Sequence, residues 1–223
     1  MAKKKNNRKK VVKQQPLSPK SYIKKKARKL PVERCIINDN WKDSGMATVL
    51  IARKMRSGNL IVGSYIVDIL CLGLKNTHHW FDVSLSDFEG SILDLFKNEM
   101  DLNMIDCEPS LVYNIIYGAI EYAEDLGFEP QKDFAISEYI LDDVKEVQFI
   151  DVEFGKDGKP VYFTGPNDNV GRILRILEKN VGEGNFEYAD GIPAHLLGDE
   201  EENPSSEEEK EDDGFTDFEE ISE

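Results

Sequence analysis

Carboxylates in two separate strand-like segments are the residues of this sequence best suited to catalysis. Asp68 lies within a long apolar run, and Asp151 alternates with Glu153 in a later segment. Acidic side chains on neighbouring strands can bind Mg²⁺, which positions and activates water for phosphodiester hydrolysis. Glu121 or Asp125, from a predicted helix, would complete such a cluster. One hypothesis is therefore a metal-dependent nuclease or phosphohydrolase, with Mg²⁺ as its cofactor.

A structural role is the competing interpretation of Asp68. A carboxylate among apolar strand residues must accept hydrogen bonds or raise its pKa, because desolvating an unpaired charge is costly. A buried Asp that accepts backbone or Arg hydrogen bonds meets this requirement as well as a catalytic one does. We favour the structural interpretation, so no catalytic residue is assigned.

The cysteines and histidines give little support for other chemistry. Cys35, Cys71 and Cys107 lack the Cys-x2-Cys or His-x3–5-His spacing that preorganises a zinc site. His78 and His79 are adjacent, so on a strand they point to opposite faces and cannot easily chelate one ion. Cysteines flanked by apolar residues are normally inert, which argues against a Cys–His nucleophile. We expect reduced thiols and no structural disulfide.

Charge is distributed very unevenly along the chain. Residues 1–29 hold 13 of the 28 lysines and arginines and no acidic residue, whereas residues 199–223 hold 14 acidic residues and one lysine. Clustered cations of this kind are typical of polyanion binding, because each cation placed on a phosphate releases condensed counterions. The sequence predicts contact with RNA, the ribosome or DNA through the basic residues Lys3, Lys4, Lys5, Arg8, Lys9, Lys10, Lys24, Lys25, Lys26, Arg28 and Lys29.

Both ends of the chain are predicted to be disordered. Residues 1–30 and 199–223 contain too few apolar residues to offset the entropy of ordering, although the second basic cluster can form a short helix that enters the fold. In the acidic tail, Phe215, Phe218 and Ile221 are spaced as a motif for a protein partner. A protein-interaction module that acts through its charged tails is therefore a further hypothesis.

Strand and turn patterns between the tails predict one α+β domain at residues 31–198. Aliphatic and β-branched residues at 46–55 and 60–74 flank an Arg-Ser-Gly-Asn turn, which predicts an antiparallel hairpin. An Asp-Gly pair marks a second hairpin, with strands at 147–154 and 160–164.

Helical spacing of apolar residues predicts the layers that cover the sheet. The patterns fall at residues 87–97, 109–127 and 170–181. The turn at 165–169 before the last helix lacks the glycine pattern and lysine of a phosphate loop. The predicted fold class is α+β: an antiparallel or mixed sheet from two hairpins, packed with three or more helices.

Several short motifs resemble those of a bacterial protein family without known activity. The similarity extends over residues 22–130. Its motifs are ARKLP at 27–31, Trp41 followed by SGMA at 44–47, GSYIVD at 63–68 and CLGLK at 71–75. The resemblance implies a bacterial cytosolic protein and assigns no functional residue.

Hydropathy gives the same localisation. No apolar run approaches the roughly 20 residues needed to cross a bilayer, and the N-terminus lacks the apolar core of a signal peptide. We therefore expect a cytoplasmic protein without a membrane partner. Together these patterns favour a non-enzymatic nucleic-acid-binding protein that needs no cofactor.

Overall fold

Five antiparallel strands form the centre of the fold in the computed structural model, which describes residues 17–189. The strands are β1 (Val32–Asn38), β2 (Met46–Lys54), β3 (Leu60–Asp68), β4 (Gly73–Val83) and β5 (Met104–Asp106). Their order across the sheet is β4-β3-β2-β1-β5. The α+β class and the antiparallel sheet predicted from the sequence are confirmed.

The predicted first hairpin is present as β2 and β3, which pair in register from Met46 opposite Asp68 to Lys54 opposite Leu60. The strand expected to run to residue 74 ends earlier, at Asp68. There the Asp68 side chain accepts backbone hydrogen bonds that bend the chain into a turn. Gly73 then starts β4 with a φ of 66°, where a β-carbon would clash with helix α4 (Pro109–Asp125) below it.

The second predicted hairpin is correct only at its turn. Asp157 and Gly158 both have positive φ, as a type I′ turn requires, and Lys156 bridges to Lys159. The ladder extends no further, and residues 147–154 form no strand.

Long-range contacts explain this difference. Asn114 of helix α4 donates to the Gln148 carbonyl at 2.8 Å and accepts from the Ile150 N–H at 3.1 Å, so residues 147–154 lie along that helix. The following strand β6 (Val161–Phe163) pairs instead in parallel with β7 (Glu187–Ala189).

Between residues 17 and 189, six α-helical segments and several short helical turns connect or cover the strands. The α-helices are α1 (Pro19–Lys26), α2 (Trp41–Ser44), α3 (Leu85–Asp87), α4 (Pro109–Asp125), α5 (Phe134–Ser137) and α6 (Val170–Asn180). Helix α3 continues as π-helical turns at Phe88–Leu93 and Leu95–Glu99, and 3₁₀ turns occur at Ala27–Lys29, Glu138–Ile140 and Val144–Glu146. None of these helices is both long and apolar enough to cross a membrane.

Apolar residues cover both faces of the sheet, because successive apolar side chains of the inner strands point to opposite faces. Val49, Ile51 and Tyr65 pack with α4 on one face. Leu50 and Val62, which point the other way, pack with the α3 segment on the opposite face. Burial of each such side chain contributes about 1.5–3 kcal/mol, so the two layers hold the sheet between them.

Helix α1 belongs to the first of these layers. Ile23 and Ala27 are fully buried in it, and the Tyr22 ring meets Phe81 of β4 edge-on at 5.4 Å. Residues 19–29, which fall in the predicted disordered head, are thus helical and packed on the sheet. The domain limits at 31–198 otherwise stay a prediction.

Candidate functional site

Five exposed lysines on α1 and the 3₁₀ turn after it form the most basic surface of the described chain. This α1 basic surface consists of Lys20, Lys24, Lys25, Lys26 and Lys29. No acidic residue occurs between residues 17 and 30, and within the described range none of these lysines forms an ion pair. Within the described residues, the five lysines of this surface therefore have no carboxylate as an ion-pair partner.

Local sequence explains why a helix forms here. Ser18 is the N-cap, and its Oγ accepts from the Ser21 N–H at 3.4 Å. Pro19 occupies the first helical turn, where its missing N–H costs nothing. Three lysines in the last turn interact favourably with the negative end of the helix dipole. The apolar residues Ile23 and Ala27 then fix one side of the helix to the core.

Arg28 has a different role from the neighbouring lysines. Its guanidinium donates to the carbonyls of Leu141 and Glu138, and it pairs with Asp143 at 3.5 Å. It also lies over the Tyr139 ring, 4.9 Å from the centroid. Arg28, one of the residues predicted to contact nucleic acid, therefore anchors α1 to the segment at 138–143.

A buried arginine reinforces the same attachment. Arg53 of β2 donates to the Leu30 carbonyl at 2.7 Å and to the Tyr113 hydroxyl at 3.2 Å. It also donates to the Ile140 carbonyl and pairs with Asp142. Sequence reasoning missed this residue, although its two-residue spacing from Val49 and Ile51 was a usable signal. Arg53 holds the chain leaving α1 against the sheet.

The remaining predicted nucleic-acid contacts cannot be placed. They lie outside the described residues, as does the acidic tail with its apolar motif. These contacts are Lys3, Lys4, Lys5, Arg8, Lys9 and Lys10.

Asp68 lies at the end of β3 and is 6% exposed. One of its carboxylate oxygens accepts from the N–H groups of Leu70 at 2.9 Å and Cys71 at 3.0 Å. Burial raises the pKa of Asp68, and the backbone hydrogen bonds and nearby Lys75 oppose that shift. This geometry suits a turn anchor, in accordance with the structural interpretation.

Unlike Asp68, which is buried at the end of β3, Asp151 and Glu153 are exposed. Both line an open groove of about 920 Å³ next to β6 and β7. Across residues 17–189, no group of three or more histidines, cysteines, aspartates or glutamates is arranged to hold a metal ion. The hydrolase hypothesis therefore has no assembled site to support it.

A second groove, of about 480 Å³, separates α4 from residues 144–154. The charged residues lining it are all acidic: Glu121, Asp125 and Asp151. Aromatic rings form much of its wall, and Phe149 beside it is 80% exposed. This acidic groove, as we call it, has the opposite charge to the α1 basic surface.

Asp168 forms a third polar cluster, which joins β4 to the turn before α6. Its Oδ2 atom accepts from Lys75 Nζ at 3.2 Å, from the Tyr162 hydroxyl at 3.2 Å and from the Gly165 N–H at 2.9 Å. Burial favours a higher pKa for Asp168, but the Gly165 N–H and the Lys75 ammonium together lower it. Asn169 caps α6. The cluster ties the β6–α6 segment to the sheet.

His78 and His79 of β4 differ in exposure. His78 is exposed and meets Trp80 edge-on at 4.5 Å, whereas His79 is half-buried near α1. Burial, His78 and Lys20 together lower the pKa of His79. His79 is therefore neutral at pH 7 and adds no charge to the α1 basic surface.

Comparison of the chain with protein-family models, curated proteins and solved structures gave no match. The resemblance over residues 22–130 therefore stays a prediction. Function has to be inferred from the geometry of the site.

Proposed function

We propose that the protein binds nucleic acid, without acting as an enzyme, through the α1 basic surface and the basic residues that precede it. The observation that carries this proposal is the set of five exposed lysines on a helix whose other side is buried. A helix held in this way presents its charges without first having to be ordered, which lowers the entropic cost of binding.

The size of the surface matches a short run of phosphates. Eight helical residues extend about 12 Å at 1.5 Å each. Each strand of a duplex has one phosphate per about 3.4 Å of helix axis, so α1 aligned with that axis spans roughly three or four phosphates of one strand. RNA and DNA share this chemistry, and both belong to the proposal.

The aromatic residues near α1 favour recognition of the backbone over recognition of bases. Tyr22 packs on Phe81, and Tyr139 is covered by Arg28. Neither ring is presented as a free platform for base stacking. We therefore expect binding that depends weakly on sequence and strongly on salt.

The charge of the rest of the domain restricts where nucleic acid can bind. The acidic groove and the exposed carboxylates around it repel phosphates. The polyanion is thereby directed to the α1 basic surface and away from the acidic groove.

A charge-neutralising triple variant tests the proposal. Lys25→Gln, Lys26→Gln and Lys29→Gln keep helix-forming side chains and remove three exposed charges. Three exposed lysines elsewhere give the matched control: Lys97→Gln, Lys159→Gln and Lys179→Gln. Fluorescence anisotropy with single-stranded RNA, single-stranded DNA and duplex DNA measures affinity over a range of salt concentrations.

For single strands, loss of three phosphate contacts reduces the slope of log K against log salt by about 2. The control variant has the same overall charge change and keeps nearly the wild-type slope. Equal slopes for wild type and the α1 variant would overturn the proposal. Comparison of the affinities for RNA and DNA shows which polyanion binds more tightly.

A further inference from the structure

Cys35 and Cys107 form a pair of thiols on neighbouring strands. Their Sγ atoms are 3.8 Å apart, and the Cys107 N–H donates to the Cys35 carbonyl at 2.9 Å. Ile36 of β1 lies opposite Asp106 of β5, so the same register places Cys35 opposite Cys107.

This register is compatible with a covalent bond between the two sulfurs. Opposed residues that share backbone hydrogen bonds in an antiparallel pair have α-carbons about 5.5 Å apart. Disulfides span α-carbon distances of about 4.4–6.8 Å. The sulfurs therefore need to approach to about 2.05 Å through side-chain rotation, with little movement of the strands.

The two thiols differ in access and in acidity. Cys107 is half-buried, whereas Cys35 is 5% exposed. A hydrogen bond from the Cys35 thiol lowers the pKa of Cys107, although burial and the neighbouring acidic residues oppose this shift. The thiolate is the reactive form of cysteine, so an oxidant attacks Cys107 first.

Cys71 gives an internal comparison. It is fully buried, and burial and Asp68 raise its pKa. Neither of the other two cysteines contacts it within the described residues. Cys71 should therefore stay reduced under conditions in which the pair reacts.

We propose that Cys35 and Cys107 are a thiol oxidation site, which a peroxide converts into an intramolecular disulfide. In the first step the Cys107 thiolate attacks one peroxide oxygen and the O–O bond breaks. The departing hydroxide takes up a proton as water and leaves Cys107 as a sulfenic acid.

In the second step Cys35 loses its proton and its sulfur attacks the Cys107 sulfur. The S–S bond forms, the S–O bond breaks, and hydroxide and the proton leave as a second water. Two thiols are oxidised by two electrons in total, and one hydrogen peroxide is reduced to two waters.

The bond would reinforce the edge of the sheet. Strand β5 has only three residues and pairs only with β1 among the described strands, and α4 begins two residues after Cys107. A disulfide would fasten this edge strand and the start of α4 to β1. None of the lysines of the α1 basic surface takes part in this thiol pair, so the inference is independent of nucleic-acid binding.

The test treats the folded full-length protein with hydrogen peroxide, blocks free thiols with an alkylating reagent, and measures intact and peptide masses. In the wild type we expect the protein mass to fall by about 2 Da and a linked Cys35–Cys107 peptide to form. The thermal unfolding midpoint should rise, and dithiothreitol should reverse this rise. Cys71→Ser should give the same result. Circular dichroism confirms that each variant is folded.

Variants of the buried partner separate the two steps. In Cys35→Ser, or in Cys35→Ala if the hydroxyl disturbs the core, Cys107 should stop at a sulfenic acid that dimedone traps. The wild type should form little of this adduct. Two results in the wild type would overturn the proposal. One is oxidation of Cys107 to sulfinic acid while Cys35 stays a thiol, and the other is a disulfide that forms only between two chains.

Discussion

Arg53 Nη2 donates to Asp142 Oδ1 at 2.6 Å. The Arg53 side chain is 2% exposed, whereas the Asp142 side chain is 40% exposed. This pair joins the middle of the sheet to the segment that Arg28, in the 3₁₀ turn after α1, also contacts. The guanidinium has further acceptors in the carbonyls of Leu30 and Ile140. The position of the α1 basic surface therefore depends on a buried cation.

Removal of that cation should destabilise the fold strongly. Arg53→Ala leaves buried carbonyls and the Tyr113 hydroxyl without a donor, so we expect the free energy of unfolding to fall by about 3–5 kcal/mol. Arg53→Lys keeps the charge but not the planar fork, and should recover only part of this loss. Chemical denaturation measures the free energy of unfolding of both variants.

The adjacent Lys54→Ala serves as the control for Arg53. Lys54 pairs with Glu33 at an exposed site, where such pairs contribute about 0.2–1 kcal/mol. If Arg53→Ala lowered the free energy of unfolding as little as Lys54→Ala does, the role assigned to the buried network would be contradicted.

Asp168 should make stability depend on pH in the acid range. Its pKa in the folded protein lies below the ordinary value of 3.8, so the ionised form stabilises the fold above that pH. This contribution is lost as the pH falls through the folded pKa. Asp168→Asn should therefore lower stability most near neutral pH, by about 1–3 kcal/mol, and much less at the acid end.

Urea unfolding of both proteins between neutral pH and about pH 2 tests this expectation, since that interval extends well below the ordinary aspartate pKa. A difference between wild type and Asp168→Asn that stays constant over the interval would contradict it. Asp87→Asn, at an exposed carboxylate beside the N-cap Ser84, provides a control for the general loss of one charge.

Asp68 should behave as a turn anchor. Asp68→Ala removes the acceptor for two backbone N–H groups and should cost about 1–3 kcal/mol of stability. Asp68→Asn retains an acceptor oxygen and should cost less. Both variants, if folded, should bind nucleic acid like the wild type.

The same variants test the hydrolase hypothesis. With Mg²⁺ or Mn²⁺ present, labelled RNA and DNA should remain intact on a denaturing gel for wild type and variants alike. Metal-dependent cleavage that Asp68→Asn abolishes would instead support the carboxylate site.

Neutralising the acidic groove should strengthen nucleic-acid binding modestly. Glu121→Gln, Asp125→Asn and Asp151→Asn remove three charges that repel phosphates. The gain should appear as faster association at low salt and should fade as the salt concentration rises, because these charges are exposed and screened. Stopped-flow anisotropy measures it. Slower association in this variant would place the nucleic acid on the groove side.

Local patterns predicted the parts of the fold that local interactions determine. The β2–β3 hairpin follows from its turn residues, and α4 from its apolar spacing and Pro109. The turn at Asp157-Gly158 was also correct, because positive φ at both residues is a property of that short stretch.

Contacts between distant residues account for what could not be predicted. Arg53 meets Asp142 across 89 positions, and Lys75 meets Asp168 across 93. Neither pair leaves a pattern in the sequence. Similarly, residues 147–154 have the alternation of a strand, but Asn114 of α4 supplies their hydrogen bonds. The basic residues of α1 were predicted as contacts, whereas the anchoring of the helix by Ile23 and Arg28 became apparent only in the structure.

Lysine footprinting locates bound nucleic acid on the folded protein. The full-length protein is acetylated at low reagent concentration with and without a single-stranded oligonucleotide, and peptide masses report the reactivity of each lysine. We expect Lys24, Lys25, Lys26 and Lys29 to become protected, and Lys97 and Lys179 to keep their reactivity. Protection elsewhere, with α1 unchanged, would contradict this expectation.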